Sequence, residues 1–180
     1  MAALQQVRPA DSLTLRFGLD FSVMIYAFCR WRGEGLFHLI FHEHPNMTLE
    51  QFLDWNYSPG VEPVGCYVGD NPIGIGWICK AFRIGDRVEA EVGAAFFRGT
   101  PPHAIQDALD LFLEHALIER GYDAIYGRSA SFNPAATFLT KYCGMSTVDA
   151  LPWGETVSHS TVITKLDAAE WRGRRVKCIQ

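Results

Sequence analysis

The chain lacks several things whose absence narrows its function. Its opening residues, MAALQQVRPADSL, have no basic stretch followed by an apolar one, so a secretory leader is not expected. The longest apolar region, residues 21–41, is interrupted by Arg30, Arg32 and Glu34, which argues against a membrane span. There is no CxxC pair: the five cysteines (Cys29, Cys66, Cys79, Cys143 and Cys178) are odd in number and scattered. Reduced thiols in a cytoplasmic protein are therefore expected rather than a disulfide frame. Positive charge is not in excess, since the net charge is −4, and this excludes a dominant nucleic-acid footprint. No internal repeat or low-complexity segment is present.

What is there suits one soluble domain. The 180 residues are 48% hydrophobic and 20% charged, enough to bury a sizeable core. SLTLRFG alternates as a first strand, and residues 21–42 carry apolar groups at helical spacing, broken by Gly33 and Gly35 into two pieces. MTLEQFLDW predicts a short helix with Thr48 as N-cap and Gln51 closing a capping box. VGCYVGDNPIGIGWICKAF reads as strand, turn and strand, with Asp70, Asn71 and Pro72 as turn residues; RIGDRV turns again into the strand VEAEVGAAFF. Gly74 and Gly76 within a strand signal a bulge or a close approach. A helix follows from Thr100, with Thr100 as N-cap and Pro101 at its first position, and Gly121 stops it. YDAIYGRSASF is a strand leading to Asn133 as N-cap and Pro134 at the first helical position, and Gly144 ends that helix. Two last strands fit MSTVDALPW and TVSHSTVITKL, and WRGRRVKCIQ reads as a loosely attached basic tail. The order is β-α-α-β-β-β-α-β-α-β-β, a mixed α/β domain over residues 1–166 with the tail at 167–180.

Three stretches carry a resemblance: NPIGIGWI, EVGAAFFRGTPPHAIQDAL and SASFNPAATFLTKYCGM. Together they resemble the third strand, the fourth strand with its phosphate loop and helix, and the fifth strand with its helix in the GNAT superfamily of acyl-CoA-dependent N-acyltransferases. The last is the most specific, with Asn133, Ala136 and Gly144 at matching places. The resemblance runs from Ser12 to Leu166. It implies a strongly twisted mixed sheet of about seven strands with helices on both faces, splayed between its fourth and fifth strands. It also implies acetyl-CoA as co-substrate, its pantetheine arm in that splay and bonded to backbone near Glu91 and Gly93. The implied acceptor is a small-molecule or protein amine; no nucleic acid or membrane is implied, and a homodimer is left open.

Where the family holds the diphosphate, in a Gln/Arg-x-x-Gly-x-Gly/Ala loop, Arg98 and Gly99 keep the first positions. Pro101 and His103 replace the two glycines, and Pro101 and Pro102 have no N–H to donate. The remaining phosphate donors are the amides of Gly99, Thr100, His103 and Ala104, with the Arg98 and His103 side chains as cations. Asn133 is expected to stabilise the splayed region. The family's general-acid tyrosine falls at Thr140, a poor acid, and Tyr142 lies about 200° further around the helix.

Glu89 and Glu91 share one strand face by alternation, and either is a candidate base for deprotonating the acceptor amine. Pairing with Arg83 or Arg87 is the structural alternative. His38 and His42, at i and i+4, have zinc-ligand spacing without a well-spaced third ligand, so no metal is expected. Trp55 and Tyr57 are candidates for the acceptor pocket, whereas Trp31, Trp77, Trp153, Trp171, Phe96 and Phe97 suit the core. Cys79 and Cys143 have no histidine in a defined relation that would make them nucleophiles. The other reading is a protein that keeps this fold without the chemistry, a binding or assembly component of cellular or phage origin.

Overall fold

A computed structural model describes residues 12–178. Seven strands form one sheet: β1 (Leu13–Phe17), β2 (Val61–Val68), β3 (Asn71–Ile84), β4 (Arg87–Phe96), β5 (Ala124–Ala130), β6 (Ser146–Val148) and β7 (Thr161–Asp167). Their spatial order is β1-β2-β3-β4-β5-β7-β6. Only the β4–β5 pairing is parallel; every other neighbouring pair is antiparallel.

Among the described residues three helices precede β2. The first, α1 (Phe21–Gly33), is capped by Asp20, whose carboxylate accepts from the Val23 amide. A single turn, α2 (Phe37–Ile40), follows, then α3 (Leu49–Asn56). The capping box expected for α3 is present: the Gln51 amide donates to Thr48 Oγ1 at 3.2 Å, and the Thr48 amide to Gln51 Oε1 at 2.9 Å. These helices bury Met24, Trp31, Phe37 and Phe52 against Ile75 and Trp77 on one face of the sheet. On the other face lie α4 (Pro102–Glu114), continued by a π-helical turn (His115–Glu119), α5 (Pro134–Cys143) and α6 (Ala168–Cys178).

Several local features differ from the sequence reading. The basic segment expected as a loose tail is the helix α6, and Ala168 and Trp171 are buried in the core with Leu117 and Leu166. The tight turn between β2 and β3 is Gly69–Asp70, so Asn71 and Pro72 already belong to β3. β3 is irregular twice: against β2 the register skips Ile73, beside Gly74, as that glycine signalled, and against β4 it bulges at Lys80 (φ 45°), between Cys79 and Ala81. The close approach is real at both glycines: a Cβ would stand 2.6 Å from the Ala95 carbonyl oxygen at Gly74 and 2.8 Å from Cε2 of Phe112 at Gly76. α4 begins at Pro102 with Pro101 as N-cap (φ −60°, ψ 138°), one residue later than expected. A residue that precedes proline is pushed out of the helical region, so Pro102 forces Pro101 to stay extended. Thr100 instead donates its hydroxyl to the Ile73 carbonyl at 3.2 Å.

Candidate functional site

β4 and β5 run together for only four residue pairs, from Glu89–Ala124 to Val92–Gly127. Past that point β4 continues to Phe96 and β5 to Ala130 without pairing to each other. The edge of β4 from Gly93 onward therefore turns its unladdered backbone groups toward an opening, where such groups need another partner. Gly93 is the first residue free of the ladder, whereas Glu91 is still paired with Tyr126. The opening is a cleft of about 1290 Å³. Its walls are the loop after α2, the end of β4, the start of α4, Ser129 on β5, and Ala136 and Leu139 of α5.

The floor of the cleft is charged, and strand parity explains why. Glu89 and Glu91 face the α1–α3 side of β4, and Tyr126 and Arg128 project from β5 on that same side. Arg128 Nη2 bonds Glu91 at 2.9 Å and Glu155 at 2.6 Å, and Nη1 lies 3.6 Å from Glu43. Lys80, the half-exposed residue of the bulge, reaches Glu155 at 2.8 Å. The Arg128 Nε is buried without a hydrogen-bond partner. Burial pushes the Glu91 carboxyl above its ordinary pKa, and Arg128 opposes the shift. Burial acts on Glu155 in the same sense, but hydrogen bonds from Lys80, Arg128 and Trp153 prevail and bring it down to about 2. Burial lowers the pKa of His42, which leaves its imidazole neutral at pH 7, with Nε2 2.9 Å from Thr161 Oγ1.

The two candidate bases separate here. Glu91 lines the cleft. Glu89 does not: it is buried beneath Tyr126, whose hydroxyl donates to it at 2.9 Å, and Arg87 pairs with it at 3.0 Å. Neither expected acid reaches the cleft either. Thr140 donates to the Thr137 carbonyl, and Tyr142 donates to Asp110 at 3.3 Å. Trp55 lines the cleft, while Tyr57 stacks on Phe21 and donates to the Leu19 carbonyl. The α2 turn ends at Ile40, before His42, so His38 and His42 do not share a helix face. Cys79 borders the cleft, but burial pushes its thiol up to about 12, which leaves no thiolate to attack.

At the loop expected to hold a diphosphate, Arg98, Gly99 and Thr100 border the cleft, and His103 and Ala104 stand in the first turn of α4. The Thr100 amide is used by the Phe97 carbonyl at 3.2 Å, and the Arg98 amide by Glu34 at 3.0 Å. The His103 and Ala104 amides belong to the first turn, which has no intrahelical acceptors for them. With Gly99 they are what remains for an anion. The loop thus offers a diphosphate few backbone donors. Asn133 caps α5, accepting from the Ala136 amide at 3.2 Å, and donates to the Leu39 carbonyl at 3.4 Å, tying α5 to the α2 segment across the cleft.

Sequence reasoning missed Arg128, Lys80 and Glu155. For Arg128 a signal existed, an arginine at an inward position of the otherwise apolar AIYGRSA strand; Glu155 lies in a loop with no periodicity to place it.

No protein-family model matches the chain, and no curated protein matches it in sequence. Solved structures do match in fold. Spermidine N-acetyltransferase from Vibrio cholerae, in complex with CoA and spermine, superposes with a TM-score of 0.69 at 14% identity, over 89% of this chain and 98% of that one. FdhC, a nucleotide-linked sugar GNAT in its apo form, gives 0.69 at 10% identity, over 94% of each chain. The N-acetyltransferase PseH of Campylobacter jejuni, in complex with acetyl coenzyme A, gives 0.58 at 13% identity, over 87% of this chain and 99% of that one. The chain has the GNAT fold: a mixed seven-stranded sheet, open at its edges, with helices on both faces.

Proposed function

We propose that this protein is an N-acyltransferase that moves an acetyl or acyl group from acyl-CoA to an amine. The carrying observation is the divergence of β4 from β5 after Val92, directly above a half-buried carboxylate, Glu91. Solved neighbours of this fold bind CoA or acetyl-CoA, and one of them is a spermidine N-acetyltransferase, which supports the same donor here.

In this reading the β4 edge from Gly93 hydrogen-bonds the pantetheine arm, and Gly99, His103, Ala104 and the Arg98 side chain face the diphosphate. Asn133 keeps α5 at the far wall. Across the whole cleft Glu43, Glu91 and Glu155 are matched by Lys80, Arg98 and Arg128, but Arg98 belongs to the β4–α4 loop; at the floor three carboxylates meet two cations, which favours an ammonium there. Glu91, its pKa raised by burial, takes a proton from that ammonium directly or through a water. The freed nitrogen lone pair attacks the thioester carbon, the attacking nitrogen, now positively charged, gives up a second proton to water, the carbon–sulfur bond breaks, and the sulfur leaves with the bonding pair. A thiol has a pKa of about 8.5, so the leaving thiolate takes its proton from solvent without a tyrosine. This accounts for a cleft that neither Thr140 nor Tyr142 enters. Trp55 and Trp77 wall the acceptor side.

The test is a melting curve with acetyl-CoA, followed by thiol release against a panel of primary amines. Saturable stabilisation and amine-dependent thiol release are expected. No shift at millimolar acetyl-CoA would instead favour a protein that keeps the fold without the chemistry.

A further inference from the structure

The loop between β4 and α4 is already occupied by an anion of the chain's own. Glu34, the C-cap of α1, places Oε2 3.0 Å from the Arg98 amide. Its other oxygen is held by Arg30 Nε at 2.8 Å. Arg30 is fixed in turn: it donates to the Tyr26 hydroxyl at 2.6 Å and to the Arg98 carbonyl at 3.2 Å, and its guanidinium lies over the Phe97 ring at 4.5 Å. Both backbone groups of Arg98 are therefore clamped from α1, and the Glu34 side chain is only 16% exposed. One residue on, the Thr100 amide is closed into a turn, and Pro101 and Pro102 supply no donors.

From Arg98 to Pro102 the Gly99 amide is then the one backbone donor left for a diphosphate, and the nearby Arg30 charge is already neutralised by Glu34; beyond it only the His103 and Ala104 amides and the Arg98 and His103 side chains remain. The wedge that admits the arm is unaffected, because it is made by strand divergence some residues earlier. Resting on the acyltransferase reading above, we infer that the site reads its acyl donor through the pantetheine arm and not through the nucleotide diphosphate. Acyl-pantetheine thioesters that lack the ADP moiety are then bound nearly as well as acyl-CoA, and Glu34 is the residue that sets this specificity. The shared chemistry is an acylated pantetheine arm, whether it ends in a nucleotide or not.

Calorimetric titration of the full chain with acetyl-CoA and with S-acetyl-pantetheine tests this without an acceptor. Dissociation constants within tenfold of each other are expected. Acetyl-CoA binding tenfold tighter or more, or binding alone, overturns the inference and leaves the acyltransferase reading in place; binding of neither removes both. Glu34→Ala frees the Arg98 amide, and should tighten acetyl-CoA at least threefold while S-acetyl-pantetheine stays unchanged. An unchanged acetyl-CoA affinity in that variant refutes the role of Glu34. Glu34→Gln, which keeps the shape and an acceptor oxygen, should move acetyl-CoA in the same direction by less; S-acetyl-pantetheine binding reports in both variants that the cleft has folded.

Discussion

Replacing Arg128 by methionine removes the cation that holds the cleft floor together and keeps a side chain of similar length. Glu91 and Glu155 both bond the same Nη2 atom in the native protein, so their carboxylates are less than about 6 Å apart. At that separation, with an effective dielectric constant of about 20, two negative charges repel by about 3 kcal/mol, which is a ceiling here because Lys80 still pairs with Glu155. Losing a buried ion-pair partner costs about 3–5 kcal/mol and a surface one less than about 1 kcal/mol. With side chains 12%, 17% and 35% exposed for Arg128, Glu91 and Glu155, a loss of about 2–3 kcal/mol at pH 7 is expected. The pH dependence identifies the cause. In the native protein Glu155 titrates at about 2, below its ordinary 4.5. Its stabilising contribution is thus complete above 4.5 and lost as pH falls from 4.5 toward 2. In the variant the repelling carboxylates titrate above their unfolded values, so the penalty is full at neutral pH and is relieved as acid neutralises them. Urea denaturation at pH 7 and pH 4.5 should show the gap between native and variant shrinking at the lower pH. An equal gap at both, or one below about 0.5 kcal/mol at pH 7, refutes the electrostatic account.

Glu91→Gln should lower kcat by about 10²–10⁴-fold with the donor affinity retained. It should also abolish the acidic limb of the pH–rate profile, which on the acyltransferase reading should rise in the native protein through a carboxylate pKa displaced above 4.5; an unaltered limb would place the base elsewhere. Gly76→Ala sets a methyl carbon 2.8 Å from the Phe112 ring; thermal unfolding should show a loss of about 1–3 kcal/mol, and a neutral result would mean that α4 yields freely. Trp171→Ala should cost about 3–5 kcal/mol in urea, since the ring is buried among core residues; a loss below about 1 kcal/mol would show that α6 contributes little to the core.

Features carried by adjacent residues were legible in the sequence. The Thr48 capping box, the Asn133–Pro134 helix start and the left-handed Gly144 stop (φ 69°) each rest on contacts within a few residues and stand where the motif put them; the β2–β3–β4 meander is there too, with its first turn closing earlier than read, at Gly69–Asp70. The common face of Glu89 and Glu91 was legible too, because alternation is local. Which of them meets the cleft was not, since that depends on Tyr126 and Arg128 from β5, 37 positions away. The same holds for Glu34, which meets the Arg98 amide across 64 positions. Nothing in the RGTPPH stretch indicates that its first amide is taken. α6 was misread because basic residues crowd its sequence, while its attachment is carried by one buried face containing Ala168 and Trp171.

The central claim is that the gap between β4 and β5 admits the acyl donor. Gly93 stands where the gap opens; a Cβ there meets only Trp77, at 3.6 Å, an ordinary contact, so the backbone accepts a side chain. Calorimetric titration of acetyl-CoA into the native protein and into Gly93→Leu tests the claim directly. Saturable binding to the native protein, abolished in a Gly93→Leu variant that melts normally, is the predicted result. Equal binding to both, or none to the native protein, would contradict it.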